Sequence, residues 1–266
     1  MEFTPVTPDD LNEINKLQPE GWTDIVPKFR YYIDSGFSYP VKVSINGEII
    51  GTGVSISFQH TSWLANIIVD SRFRKQGIGG EIVGHLLNNL DRAAKASVLL
   101  IATQLGETVY LKAGFRTVTE YIFFKREDSK NDHPLSENIV SFEKKHRHAI
   151  LEMDKRVSGE NRERLIYGFL DNSKVFIENN KVLGFYLPDL GEGLIEAENK
   201  NVGIELMKFK YDGIHKAVLP IENTPGIDFL KEDGFTETSR GKRMILGLYI
   251  PWQPEKLYSR IGGDLG

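Results

Sequence analysis

Cysteine is absent from the 266 residues. That removes disulfides, thiolate metal sites and any reaction that parks a covalent intermediate on sulfur. Long apolar runs are absent too: no stretch approaches the roughly eighteen residues at which a membrane-spanning helix is read. The start, MEFTPVTPDDLNEINKL, carries acidic residues where a signal peptide needs a basic and then an apolar run. The expectation is a cytoplasmic protein that does not engage a membrane. A basic excess is missing as well, since 33 Lys and Arg face 37 Asp and Glu for a net charge of -4. Nucleic acid is therefore not expected as a partner. Of the six histidines only His146 and His148 lie close together, in a Lys-Lys-His-Arg-His run with the character of a solvated face, so no metal is expected. What remains, 40% hydrophobic and 26% charged residues, describes a folded chain. At about 150 residues per domain its length suggests two domains or one large one.

Periodicity lays out the first half. Asp9 and Asp10 precede Leu11, Ile14 and Leu17 at helical spacing, and Thr23 with Asp24 precedes Ile25, Phe29 and Tyr32, so two short helices are expected to open the chain. Val41, Val43 and Ile45 alternate up to Asn46-Gly47, a strong hairpin signal, with a return strand from Ile49 to Phe58 and a third from Trp63 to Val69. A long amphipathic helix from Gly77 to Ala94 follows, then a buried strand from Ser97 to Ala102. A short helix from Glu107 to Lys112 stops at Gly114, and a strand from Thr117 to Lys125 ends the half.

The polar stretch from Arg126 to Pro134 is the best linker candidate, giving expected domains of 1–128 and 135–266. Beyond it the order of elements recurs: helices around Ile150 and Leu165, a hairpin at Asn179-Asn180, a helix near Val202 to Lys208, and a strand at Ala217 to Leu219. Text recurs as well. Asn46-Gly47-Glu48-Ile49-Ile50-Gly51 matches Asn180-Lys181-Val182-Leu183-Gly184, and Tyr110-Leu111-Lys112-Ala113-Gly114-Phe115 matches Phe229-Leu230-Lys231-Glu232-Asp233-Gly234-Phe235. A diverged internal duplication is the reading, with an unrelated accessory domain as the alternative.

Chemistry concentrates in Val69-Asp70-Ser71-Arg72-Phe73-Arg74-Lys75-Gln76-Gly77-Ile78-Gly79-Gly80, between an expected strand and a long helix. A helix N-terminus offers unpaired N–H groups and about half a positive charge, and glycine lets backbone approach an anion. The loop therefore reads as a phosphate site, against the plainer alternative of a turn with solvated charges. The dinucleotide pattern Gly-x-Gly-x-x-Gly fails, because Ile82 stands at the third glycine, and no Gly-Lys-Ser or Gly-Lys-Thr ends the loop.

Arg74-Lys75-Gln76-Gly77-Ile78-Gly79 resembles the Arg/Gln-x-x-Gly-x-Gly/Ala signature of the GNAT N-acyltransferases, and Tyr110 to Phe115 resembles that family's Tyr-x-x-x-Gly-Phe block. Trp63, Ala102-Thr103, Gly106, Arg243-Met244 and the ending Tyr258-Ser259-Arg260-Ile261-Gly262-Gly263-Asp264-Leu265-Gly266 resemble a subgroup with two GNAT-like halves. The resemblance implies an α/β fold, a mixed and mainly antiparallel sheet flanked by helices, in two tandem copies. It implies acetyl-coenzyme A as cosubstrate, held by Arg74, Lys75, Gln76, Gly77, Ile78, Gly79 and Gly80 at the diphosphate and by backbone of Ile67, Ile68 and Val69 at the thioester arm. It also implies Tyr110 as general acid; the alternative is a core tyrosine.

The implied activity is acetyl transfer to a primary amine of a small molecule or peptide, by direct attack in a ternary complex of a monomer or homodimer. The base is not legible: Thr61 to Val69 holds no acidic residue, Asn66 is its deep polar side chain, and His60 reads better as a surface residue. In the second half Glu198 to Ile204 offers one glycine and one cation, and Leu230 stands where Tyr110 would, so that half is expected to lack catalysis. Trp22, Tyr31, Tyr32, Phe37 and Tyr39 read as core before pocket. A non-catalytic acyl-coenzyme A sensor and a nicotinamide-dependent oxidoreductase are the competing readings.

Overall fold

The computed structural model describes residues 1–22, 24–90, 96–127 and 133–266. Thr23, the far end of the helix expected to reach Ala94, and most of the expected linker lie outside the described residues. The described chain forms two compact units, Met1–Arg116 with Met244–Leu248, and Thr117–Arg243 with Tyr249–Gly266. A division at 128 and 135 follows the repeat along the chain. Contacts instead count Thr117–Lys125 with the second unit and Met244–Leu248 with the first.

The first unit runs β1 (Glu2–Pro5), α1 (Leu11–Asn15), α2 (Val26–Asp34), β2 (Ser38–Ile45), β3 (Glu48–Ser57), β4 (Thr61–Val69), α3 (Ile78–Asn88), β5 (Ser97–Ala102) and α4 (Glu107–Lys112). Its strands lie in the order β1-β2-β3-β4-β5, antiparallel except for the parallel β4–β5 pair. Met244–Leu248 closes the far side of β5, where Leu248 N donates to Ala96 O at 3.0 Å and Ser97 Oγ to Leu248 O at 2.6 Å. Ile78, Ile82 and Leu86 of α3 pack on Val43, Ile50 and Leu64 of the sheet, the helical period meeting the strand alternation in one core.

The second unit runs β6 (Arg116–Lys125), β7 (Ile139–Ser141), α5 (Arg147–Ser158), α6 (Glu163–Ile166), β8 (Lys174–Glu178), β9 (Lys181–Leu187), β10 (Leu194–Ala197), α7 (Lys200–Lys210), β11 (Lys216–Pro220), α8 (Thr224–Glu232), β12 (Thr236–Gly247) and β13 (Leu257–Ser259). The last residues of β12 are the segment that joins the first unit. One sheet is ordered β13-β10-β9-β8-β7, and β6 pairs antiparallel with β11.

The duplication is visible in irregularities, which chance does not copy. The hairpin turns sit at Asn46 and Gly47 (φ 50° and 81°) and at Asn179 and Asn180 (φ 50° and 58°), the left-handed pairs that a two-residue turn demands. Each hairpin then slips register at one place, between Val43 and Ser44 and between Phe176 and Ile177. Opposite the slip stand Gly51 and Gly184. A Cβ on Gly51 would meet Ile82 at 3.2 Å; one on Gly184 would meet Val202 at 2.7 Å and Leu206 at 2.9 Å. Each glycine lets its helix close on the sheet. Both copies end alike: Gly114 (φ 91°) and Gly234 (φ 84°) stop α4 and α8, and Phe115 N bonds Tyr110 O as Phe235 N bonds Leu230 O.

Hydropathy pattern does not announce β1 or β13. The first is a polar edge strand that ends in proline, and the second is three residues long, so neither carries an alternation of useful length.

Candidate active site

The site begins where β4 leaves its neighbour. Parallel pairing with β5 runs from Thr61 opposite Ser97 to Trp63 opposite Leu99 and no further, although both strands continue. The cause lies on the other edge of β4. Two residues, Asn66 and Ile67, face one position of β3, and Asn66 adopts φ 46°, a conformation asparagine tolerates. The bulge bends β4. Its backbone is pinned by Thr52 Oγ1, which donates to Asn66 O at 3.2 Å, and Asn66 Nδ2 donates to the hydroxyl of buried Tyr32 at 2.9 Å.

Alternation decides which amides of β4 are committed. Asp70 N donates to Ile50 O of β3, so the Ile68 amide faces β3 as well, while those of Ile67 and Val69 face the β5 side, beyond the end of the ladder. Of the three residues expected along the thioester arm, Ile67 and Val69 thus present backbone donors there and Ile68 does not; its side chain is buried in the core.

The loop from Asp70 to Gly77 brings its expected residues to one helix end. Asp70 accepts from Arg72 N, and the Arg72 guanidinium is committed to Asp70 and to Glu48. Arg74 turns back, its Nε donating to Val69 O at 3.1 Å, and Lys75 takes a left-handed φ of 63°. Arg74, Lys75 and Gln76 are exposed. Gly77 caps α3 at φ 87° with no side chain to offer, so the Ile78 and Gly79 amides have no capping acceptor. Gly80 N and Glu81 N are already bonded to Gly77 O. A Cβ at Gly77 or Gly80 would meet nothing within 4 Å, while one at Gly79 would stand 3.9 Å from both Val69 and Val109. The Ile78 side chain is buried, and the residue offers only backbone. This is a helix N-terminus with free donors, an open approach and two exposed cations beside it.

Val109 ties α4 to that end, and the next residue is Tyr110. A methyl group on Gly106 would stand 3.0 Å from Tyr110 Cε2 and 3.5 Å from its hydroxyl, so Gly106 makes room for the ring, which also meets Phe115 edge to face. Burial pushes the Tyr110 phenol up to about 12, leaving it protonated at neutral pH and able to donate. His60 is exposed at the β3–β4 turn. Of the aromatic group, Tyr32 is core and Trp22 is exposed, while half-buried Tyr31 and Phe37 stack edge to face near Phe58.

The second copy has the same helix without the loop. Twelve residues separate Val69 from Ile82, and four separate Ala197 from Val202. The Asn199 side chain accepts from the amides of Asn201 and Val202, the second and third of α7, a cap for which Gly77 has no side chain.

The family model described as an acetyltransferase (GNAT) domain matches residues 10–126. Residues 10–126 thus match the GNAT acetyltransferase domain, in the first copy of the fold. Its whole length superposes on a candidate acetyltransferase from Pyrococcus horikoshii, with TM-score 0.83, 17% identity and 95% of that chain covered. A tandem GNAT protein from the clavulanic acid biosynthesis pathway superposes over 92% of this chain and 98% of its own, with TM-score 0.59 and 11% identity. A GNAT-family acetyltransferase from Colwellia psychrerythraea does so over 93% and 100%, with TM-score 0.56 and 9% identity. Identities this low speak to the fold, which is the mixed, mainly antiparallel GNAT fold in tandem. No curated protein matches the sequence. Among the described residues no helix is long and apolar enough to cross a membrane, and no group of three or more metal-ligating side chains occurs.

Proposed function

We propose that the first unit transfers an acetyl group from acetyl-coenzyme A to a primary amine of a small molecule or peptide. The observation that carries this reading is the uncapped start of α3, whose free Ile78 and Gly79 amides open beside the parting of β4 and β5. The diphosphate lies on those amides with Arg74 and Lys75 beside it, and the thioester arm lies along Ile67 and Val69. The amine nitrogen attacks the thioester carbonyl carbon, an N–C bond forms and the C–S bond breaks. The departing thiolate takes a proton from Tyr110, and the proton lost by the amine passes to water, from which the Tyr110 phenolate regains its own, since β4 carries no carboxylate.

Gly77→Val tests the reading. A β-branched residue at φ 87° is strained and screens the amides, so the dissociation constant for coenzyme A rises at least tenfold by calorimetry. Unchanged affinity would refute the site. The absence of acidic residues from Thr61 to Val69 favours a second reading, an acyl-coenzyme A sensor. Thiol release across a panel of amines separates the two: it exceeds hydrolysis for the enzyme and stays flat for the sensor. Thermal stabilisation by NAD in place of coenzyme A would point to the oxidoreductase.

A further inference from the structure

In the second copy β10 and β11 correspond to β4 and β5, but they do not pair with each other. β13 stands between them. It pairs antiparallel with β10, Ile195 opposite Ser259 and Glu196 opposite Leu257, and it borders β11 on its other side. Asn223, the residue before α8, donates from Nδ2 to Leu257 O at 2.9 Å. The tail thus fills, with backbone, the gap in which the first copy leaves the ladder edge of β4 free.

The match extends to the helix. A Cβ on Gly203 of α7 would lie 2.3–2.4 Å from the Tyr258 ring, so the ring rests directly on the backbone of the first turn of α7. Lys210 Nζ donates to Ser259 Oγ and to the carbonyls of Glu192 and Gly193, and Arg260 pairs with Glu192. Ile261 O accepts from Glu192 N, and Ile261 N donates to Gly266 O. Leu257, Tyr258, Ser259, Arg260 and Ile261 are all buried.

We propose that the C-terminal tail from Leu257 onward is the built-in occupant of the second copy's coenzyme cleft: its strand takes the place of the thioester arm, and Tyr258 covers the helix start. That the gap is a coenzyme cleft at all rests on the reading of the first copy. The tail is an internal ligand, seated permanently, and the chain holds one coenzyme. An exchangeable lid would instead be exposed and sparsely bonded, and this segment is neither.

Hydrogen exchange read by mass spectrometry on the full chain tests this, with and without saturating coenzyme A. Amides 257–261 are expected to exchange as slowly as those of β10 and to be indifferent to coenzyme, which slows only segments 67–69 and 74–82. Gly203→Ala, which places a methyl group under the Tyr258 ring, speeds exchange at 257–261 at least tenfold and leaves the response of 74–82 intact. If that variant does not fold, Tyr258→Ala, which removes the ring and adds no clash, is read in the same way. A tail that exchanges more than a hundredfold faster than β10, a tail that coenzyme loosens, protection of 198–204 by coenzyme, or no tail response in the variant would each overturn the proposal. A protected tail with no coenzyme response at 74–82 supports the seating of the tail and refutes the coenzyme reading of the first copy.

Discussion

The starts of α3 and α7 are the same helix in the same place on the same hairpin, and they end up with opposite chemistry. Before α3, a loop from Asp70 to Gly77 arrives with Arg74 and Lys75 exposed and a glycine cap that satisfies no amide. Before α7 the connection is eight residues shorter, and Asn199 satisfies its own helix. A helix dipole is a property of any helix, so it cannot by itself make a binding site. The difference lies in whether the first amides are left unbonded and whether the chain brings charge to them.

The largest break in this comparison comes from the second copy, where polar groups serve stability. Arg162 is buried against Asp154 and Glu196 and donates to Leu265 O at 3.2 Å. Burial and the neighbouring Asp154 hold the Glu196 carboxyl well above its ordinary value. Arg162→Leu leaves the buried Asp154–Glu196 pair without its cation, and about 3–5 kcal/mol of stability should be lost in calorimetric unfolding.

In the first copy the corresponding loss is expected in the proposed acetyl transfer. Tyr110→Phe keeps the ring and removes the proton, so kcat should fall about 100-fold with little change in the apparent affinity for coenzyme. Because the phenol titrates only at about 12, the wild-type rate should show no descending limb from this group between pH 8 and 10.

Lys210 offers a pH test of the tail. Burial lowers its ammonium to about 7 in the folded chain, whereas the unfolded lysine holds its proton to about 10.5. Unfolding therefore takes up a proton between those values, and stability rises with pH through that window, by about 2 kcal/mol from pH 7 to 9. Lys210→Met should flatten the rise in thermal unfolding measured across this range.

Two smaller substitutions sharpen the contrast between the helix starts. Asn199→Ala removes a cap that the fold needs and should cost about 1 kcal/mol with no change in coenzyme affinity. Arg72→Ala should be nearly silent, with the unfolding midpoint unmoved and coenzyme affinity changed less than about twofold. Arg72 lies in the same loop as Arg74, but Asp70 and Glu48 neutralise it at the surface.

What the sequence disclosed was local. Asn46-Gly47, the Glu107–Lys112 helix stopped by Gly114, and the paired phrases around Gly51 and Gly184 all depend on residues within one turn of each other, and the structure has them as read. The loop glycines were legible for the same reason, since a cap without a side chain is visible in the letters. Three things were not. The bulge at Asn66 depends on how β4 pairs with β3, and a single asparagine in a strand is its only trace. Ile68 looked equivalent to Ile67 and Val69 until the register sent its amide toward β3. The seat of β13 joins residues 195 and 259, and three buried positions in a tail carry no period from which to read it.

The proposed site is tested most directly by a crystal structure of the full chain with coenzyme A. The expected result is one coenzyme per chain, its diphosphate within hydrogen-bond distance of the Ile78 and Gly79 amides and its pantetheine arm along Ile67 and Val69. A diphosphate bound anywhere else, or an unliganded α3 start at saturating coenzyme, would contradict it.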